Sequence, residues 1–293
     1  LRFGKKPFKS TYLVRQANFV ACHNPAYIRK FNMSQELVDG GTFLLNCSWG
    51  DPEGLETHLP PQVKRFIHDH NIQFYTIDGV KIGIETGMGP TRINTILQSA
   101  FFKLANIIPE EEAIKFMKAA AQKTYGRKGQ DVVEKNWKAI DAGKAGLVEV
   151  TVKPEWANLP SKFEVEKTGD AYFDEFVQGF DTLSGYDMPV SAFTKYGVLD
   201  GTMRNNVSYA EHRNIASFVP KWNPANCIQC GFCSFVCPHA TIRQFALTDE
   251  EVAKAPMAFE TIQAMGKGAE NYKFRVQVSP DNCVGCGLCV AEC

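Results

Sequence analysis

The chain has 293 residues, 44% of them apolar, and its 32 lysines and arginines equal its 32 aspartates and glutamates. This is the composition of a core-forming protein with room for one large domain and one or two small ones. The zero net charge gives no field favouring nucleic acid or an anionic membrane, no apolar run approaches a membrane span, and no secretory leader opens the chain.

In chain order, "NFVAC" (18–22) predicts a buried strand and "PAYIRKF" a turn or short helix. "GTFLLNC" (41–47) predicts a second strand, followed by the loop "SWGDPEG". Residues 61–71 are predicted helical, with Pro61 in the first turn. "IQFYTI" predicts a strand, Asp78-Gly79 a tight turn, and "VKIGI" a partner strand. In "TRINTILQSAFFKLANIIP" the apolar residues Ile93, Ile96, Leu97, Ala100, Phe101 and Leu104 recur at helical spacing. Helices are predicted over 110–125, stopped by Gly126, and over 131–141, stopped by Gly143. "LVEVTV" (147–152) then closes the sheet. Residues 153–219 are rich in Pro, Gly, Asp and aromatics, which predicts a loop-rich connector. "VPKWNPANC" marks the entry to a cysteine-rich region over 220–293. There "TDEE" (248–251) predicts a capping box opening a helix, and "YKFRVQV" (272–278) a strand.

Ten cysteines could describe a secreted disulfide scaffold, but eight of them fall in two tight groups, which suits a metal centre in a reducing compartment. Cys22 and Cys47 sit in apolar runs and are expected as small core residues. The first group, Cys227, Cys230, Cys233 and Cys237 followed by Pro238, has the spacing of bacterial two-cluster ferredoxins. Cys283, Cys286, Cys289 and Cys293 repeat it. Three cysteines two residues apart let a short loop wrap one corner of a cubane, and glycines at Gly231, Gly285 and Gly287 allow close backbone approach. The loop cannot reach the fourth iron, so the fourth ligands cross over. One [4Fe–4S] cluster is assigned to Cys227, Cys230, Cys233 and Cys293, and the other to Cys283, Cys286, Cys289 and Cys237. A zinc site has no use for this spacing.

Other signals are weaker. "GMGPTRINT" (87–95) reads either as a tight strand-to-helix turn or as a phosphate contact, with Arg92 the side chain to test. It contains no dinucleotide fingerprint. His68 and His70 flank Asp69 at a solvated helix end, and His239 follows the first cysteine group as a packing residue.

"FVACHNPAYI", "GGTFLLNCSW", "FYTIDG" and "RINTILQSAFFKLANIIP" resemble the γ-type domain of pyruvate:ferredoxin (flavodoxin) oxidoreductases. "MPVSAF", "DGT" and "EHRNIASFVPKW" are similar to that family's connector, here with Glu211-His212-Arg213 where its signature has a central lysine. "CIQCGFCSFVCPHATIR" resembles the entry to its ferredoxin module. "GMGPTRINT" is longer than the family's Gly-Gly-Arg turn, onto which the resemblance maps Arg92 as a CoA or phosphate contact.

The resemblance implies an α/β fold: an open sheet with flanking helices over 1–152, a connector over 153–219, and a small α+β two-[4Fe–4S] domain over 220–293. It also implies thiamine diphosphate, Mg2+ and CoA, bound mainly on domains outside this sequence. Implied partners are ferredoxin or flavodoxin as acceptor, the thiamine-binding domains of the same polypeptide, and a second copy in a homodimer. The expected compartment is the cytoplasm, or a hydrogenosome-like organelle of an anaerobic eukaryote. Leu1 and the close on Cys293 predict a piece clipped from a longer polypeptide and inactive alone. Two rival readings are a stand-alone iron–sulfur electron carrier and an oxidoreductase of another 2-oxoacid.

Overall fold

The protein is described by a computed structural model covering Pro7, Lys9 and residues 14–293. The chain divides into two compact units: one runs to Lys167 and includes 174–190, and the other comprises 168–173 and 191–293.

The first unit is built on a four-stranded sheet in the order β1 (Ala17–Cys22), β2 (Leu37–Asn46), β3 (Gln73–Ile77), β4 (Val148–Glu149). β1, β2 and β3 run parallel, with Val20 opposite Phe43 and Leu44 opposite Tyr75, and β4 closes the edge antiparallel to β3. The period-two pattern of β2 sends alternate side chains to opposite faces. Phe43 and Leu45 join Phe74 and Cys22 under α1 (Tyr27–Lys30), α2 (Pro52–His58) and α3 (Pro61–Asp69). Leu44 faces the other way and packs with Ile77, Ile96, Leu97 and Ala139.

That second face is covered by α5 (Asn94–Ala105) and α7 (Gln130–Ala145), joined by α6 (Glu110–Tyr125). α5 and α7 approach closely because of two residues. The Ser99 hydroxyl donates to the Ile140 carbonyl at 2.6 Å. At Gly143 an added Cβ would lie 2.5 Å from the Ile96 carbonyl oxygen. Gly143 therefore does not stop α7, as its sequence suggested. It lies inside the helix, where the crossing with α5 demands a residue without a side chain.

A second correction concerns "VKIGI", which forms α4 (Gly79–Glu85) and not a strand. Asp78 caps it, its carboxylate accepting the Lys81 N–H at 2.9 Å. "GMGPTRINT" consequently links two helices, not a strand and a helix. At the carboxyl ends of the strands, the buried Asn46 amide donates to the His23 carbonyl and accepts the Gly79 N–H, both at 2.8 Å. Cys22 and Cys47 are core residues whose thiols burial pushes up to about 12. Trp156 packs on the same core beside Glu56, whose carboxylate meets Lys64 and Lys153, both at 3.1 Å. Those bonds hold its pKa down to about 2. The unit also contains α8 (Gln178–Asp181).

The second unit contains α9 (Val190–Lys195), α10 (Val207–Ala210) and the cysteine region. Asp170 accepts the Tyr172 N–H at 3.0 Å and pairs with Arg204. The cysteine region holds a three-stranded antiparallel sheet in the order β5 (Ile242–Leu247), β7 (Lys273–Val278), β6 (Ile262–Gln263). Ile242, Phe274 and Val276 form its core, against which Trp222, Cys227, Cys233, Cys237 and Cys289 pack. α11 (Phe232–Phe235) and α13 (Leu288–Glu292) lie in the two cysteine loops, and α12 (Asp249–Ala253) opens on Thr248 with the expected capping box. No helix among the described residues is long and apolar enough to cross a membrane.

Candidate metal centre

The two cysteine loops are built alike. Each begins with a short turn opened by proline, Pro224–Asn226 or Pro280–Asn282, that delivers the first cysteine in extended backbone. Two residues on, the chain turns left-handed, at Gln229 (φ 58°) and at Gly285 (φ 67°). It does so again at Gly231 (φ 78°) and Gly287 (φ 77°), which start α11 and α13. These reversals fall at matching places in the two runs, between the first and second cysteines and just after the second.

The paired positions differ in how they tolerate the left-handed turn. At Gly285 an added Cβ would lie 3.1 Å from the Phe218 carbonyl, so a side chain there would be crowded by backbone as well as strained by φ. Gln229 carries a Cβ in the same conformation, which costs roughly 1–2 kcal/mol. Its amide offsets this by donating to the Gln263 carbonyl at 2.7 Å and accepting the Met265 N–H at 2.9 Å.

α11 and α13 pack against each other, which brings the halves together. Burial raises the Cys233 pKa, and this thiol interacts electrostatically with those of Cys293 and Cys230. Burial likewise raises that of Cys289, which feels Cys286 and Cys283. Cys237 is lowered: burial pushes against ionisation, and hydrogen bonds led by that of Thr241 outweigh it. Cys283 is buried, and its sulfur accepts the Gly285 N–H at 3.4 Å. Cys230, Cys286 and Cys293 are exposed.

Among the described residues no three His, Cys, Asp or Glu side chains converge as they would on a single ion. A zinc ion gathers four ligands within about 2.3 Å of one point. A cubane carries its irons at separate corners, so its thiolates stand farther apart. The surroundings fit such an anionic, sulfur-rich group: the Ser234 hydroxyl lies against the Cys233 thiol, and the buried Trp222 Nε1–H, in the same core as four of the cysteines, has no hydrogen-bond partner among the described residues. Spacing alone pointed to neither donor, nor to Gln229 or Thr241. Only the alignment of Gln229 with Gly285 between the two runs could have drawn attention to the first loop's extra polar residue.

Arg92 lies in the first unit, exposed, two residues before α5. The Met88 and Gly89 N–H groups of its turn both donate to the Gly83 carbonyl, at 2.8 and 2.9 Å. Those two amides are therefore committed within the protein. His68 and His70 have separate partners: His68 meets Asp69, while His70 meets Asp39 and stacks on Phe66.

Two family models match the chain, at separate places. Residues 1–146 match the family described as pyruvate ferredoxin/flavodoxin oxidoreductase, and residues 226–293 match a 4Fe-4S dicluster domain. A pyruvate:ferredoxin oxidoreductase of Moorella thermoacetica is 43% identical across all of this chain, and a pyruvate-flavodoxin oxidoreductase of Klebsiella pneumoniae 42%. A mitochondrial pyruvate dehydrogenase (NADP+) of Euglena gracilis is 40% identical, again across the whole chain. The chain spans 25% of the length of the first two relatives and 16% of the third. Residues 1–146 thus belong to the pyruvate ferredoxin/flavodoxin oxidoreductase family and residues 226–293 to a 4Fe-4S dicluster family, and the chain as a whole is similar to a quarter of the pyruvate oxidoreductases it matches.

Proposed function

We propose that this chain is the electron-relay and scaffold portion of a pyruvate oxidoreductase that converts pyruvate and CoA to acetyl-CoA and hands electrons singly to ferredoxin or flavodoxin. The observation carrying this reading is the pair of like-built loops, whose helices α11 and α13 pack against each other. In it, Cys227, Cys230, Cys233 and Cys293 hold one cluster, and Cys283, Cys286, Cys289 and Cys237 hold the other. When bound, a [4Fe–4S] cluster supplies a one-electron store, which a two-electron oxidation needs if its electrons are to leave one at a time. The protein's part is to fix the thiolates, bring backbone donors up to sulfur, and shield Cys233, Cys237, Cys283 and Cys289 from solvent.

In this reading thiamine diphosphate, Mg2+ and CoA are held mainly by other portions of the polypeptide, which works as a homodimer. Residues 1–152 form the γ-type domain, 153–219 the connector and 220–293 the cluster domain. Arg92 offers CoA a phosphate contact. The Euglena relative's name specifies NADP+, so the acceptor is selected outside the portion these proteins share. The compartment is the cytoplasm or a hydrogenosome-like organelle.

Anaerobic reconstitution tests the reading. The chain should take up about eight irons, and it should make no acetyl-CoA from pyruvate, CoA and thiamine diphosphate. A folded sample holding only about four irons, or zinc in their place, would count against the two-cluster assignment.

A further inference from the structure

Thr241 stands just ahead of β5 and is 4% exposed. Its carbonyl accepts the Ser279 N–H at 2.8 Å, extending the pairing of β5 with β7 towards the second cysteine loop. Both of its donors turn back on Cys237. The backbone N–H reaches the sulfur at 3.3 Å, and the hydroxyl oxygen lies 3.2 Å from it. With a protonated thiol either group could donate. A cysteine bound to iron is a thiolate without a proton, so the hydroxyl must then be the donor.

We propose that the Thr241 hydroxyl donates a hydrogen bond to the Cys237 thiolate in the iron–sulfur protein and raises the reduction potential of the one cluster to which Cys237 contributes. This rests on the cysteine assignment proposed above. The couple is a one-electron change from the 2+ to the 1+ core, with titanium(III) citrate as reductant in the test. The added electron spreads its charge onto the sulfurs, and a donor on a ligating sulfur stabilises the reduced form more than the oxidised one. Thr241 touches a ligand and not the irons, so it acts as a positioning and tuning residue.

The experiment is an EPR-monitored redox titration of the full 293-residue chain, with iron content measured on each sample. Thr241→Val keeps the shape and removes the donor, while Thr241→Ser keeps the donor. Thr241→Ala replaces the valine variant if that one does not retain both clusters. We expect valine to weaken reduction of one cluster about threefold, roughly 30 mV at 59 mV per tenfold for a one-electron couple. Serine should return it to the wild-type value, and the other cluster should not move. The signal that shifts should be the one abolished by Cys286→Ala. A full complement of iron with unshifted potentials overturns this inference alone. So does an equal shift of both clusters, or serine behaving like valine. A chain that takes up no iron overturns the cysteine assignment with it.

Discussion

Cys233 lies in α11 and Cys293 at the end of α13, so these members of different cysteine runs are carried by two helices that pack on each other. It is the arrangement that crossed ligation requires. Cys293→Ala should therefore damage the cluster held by Cys227, Cys230 and Cys233, while Cys237→Ala should damage the one held by Cys283, Cys286 and Cys289. Each variant should give a three-iron EPR signal. Adding Cys286→Ala should abolish the signal of Cys237→Ala and spare that of Cys293→Ala. The reverse pattern would mean that each run ligates its own cluster.

Glu56 ties α2 to Lys64 and Lys153, and its depressed pKa makes that link sensitive to acid. A carboxylate whose folded pKa lies below its unfolded value contributes stability above the unfolded value and loses it as pH falls through the folded one. The window here runs from the ordinary carboxylate range near 4.5 down to about 2. Glu56→Gln should flatten the pH dependence of stability in that window. The side chain is 49% exposed, so the loss at neutral pH should be only about 1 kcal/mol. Urea melts at pH 3 and 7 check both expectations.

Gly143→Ala sets a methyl group against the Ile96 carbonyl, a backbone atom that cannot swing away. A destabilisation of about 2–3 kcal/mol is expected, despite alanine's better helix propensity. Denaturant unfolding followed by the fluorescence of Trp137, on the same helix, measures it. A gain in stability would mean that α5 and α7 can separate at little cost.

Gln229 allows left-handed strain to be separated from hydrogen bonding. Gln229→Ala keeps the Cβ and loses both amide bonds, whereas Gln229→Gly loses the bonds and the strain together. The glycine variant should be more stable than the alanine variant by about 1 kcal/mol. Equal melting points would show that the turn relaxes when the amide is removed.

Much of this was legible in the sequence. β1, β2, β3 and the helices α3, α5, α6 and α7 follow from apolar period, and the cysteine loops from spacing alone, whereas α2 starts inside the stretch read as the loop "SWGDPEG". What escaped depended on partners distant in the chain or on a single cap. "VKIGI" alternates as a strand does, but the Asp78 carboxylate on the Lys81 N–H caps it as a helix, and its packing on α5 and α7 involves residues distant in the chain. Gly143 looked like a helix end because nothing local reveals that Ile96 crosses there. Thr241 is an unremarked residue until the turn after Cys237 folds its hydroxyl back onto sulfur.

The strand order of the first unit has a further consequence. Parallel α/β sheets open a ligand crevice where their winding reverses, at the carboxyl ends of the strands. β1, β2 and β3 are wound in one direction, in the order of the chain, so no such reversal splays their loops apart. Asn46 fills the corresponding position like a keystone, with one half of its amide on the β1 end and the other on the start of α4. At that end the sheet serves as a wall, closed by a single side chain that ties two strand ends together.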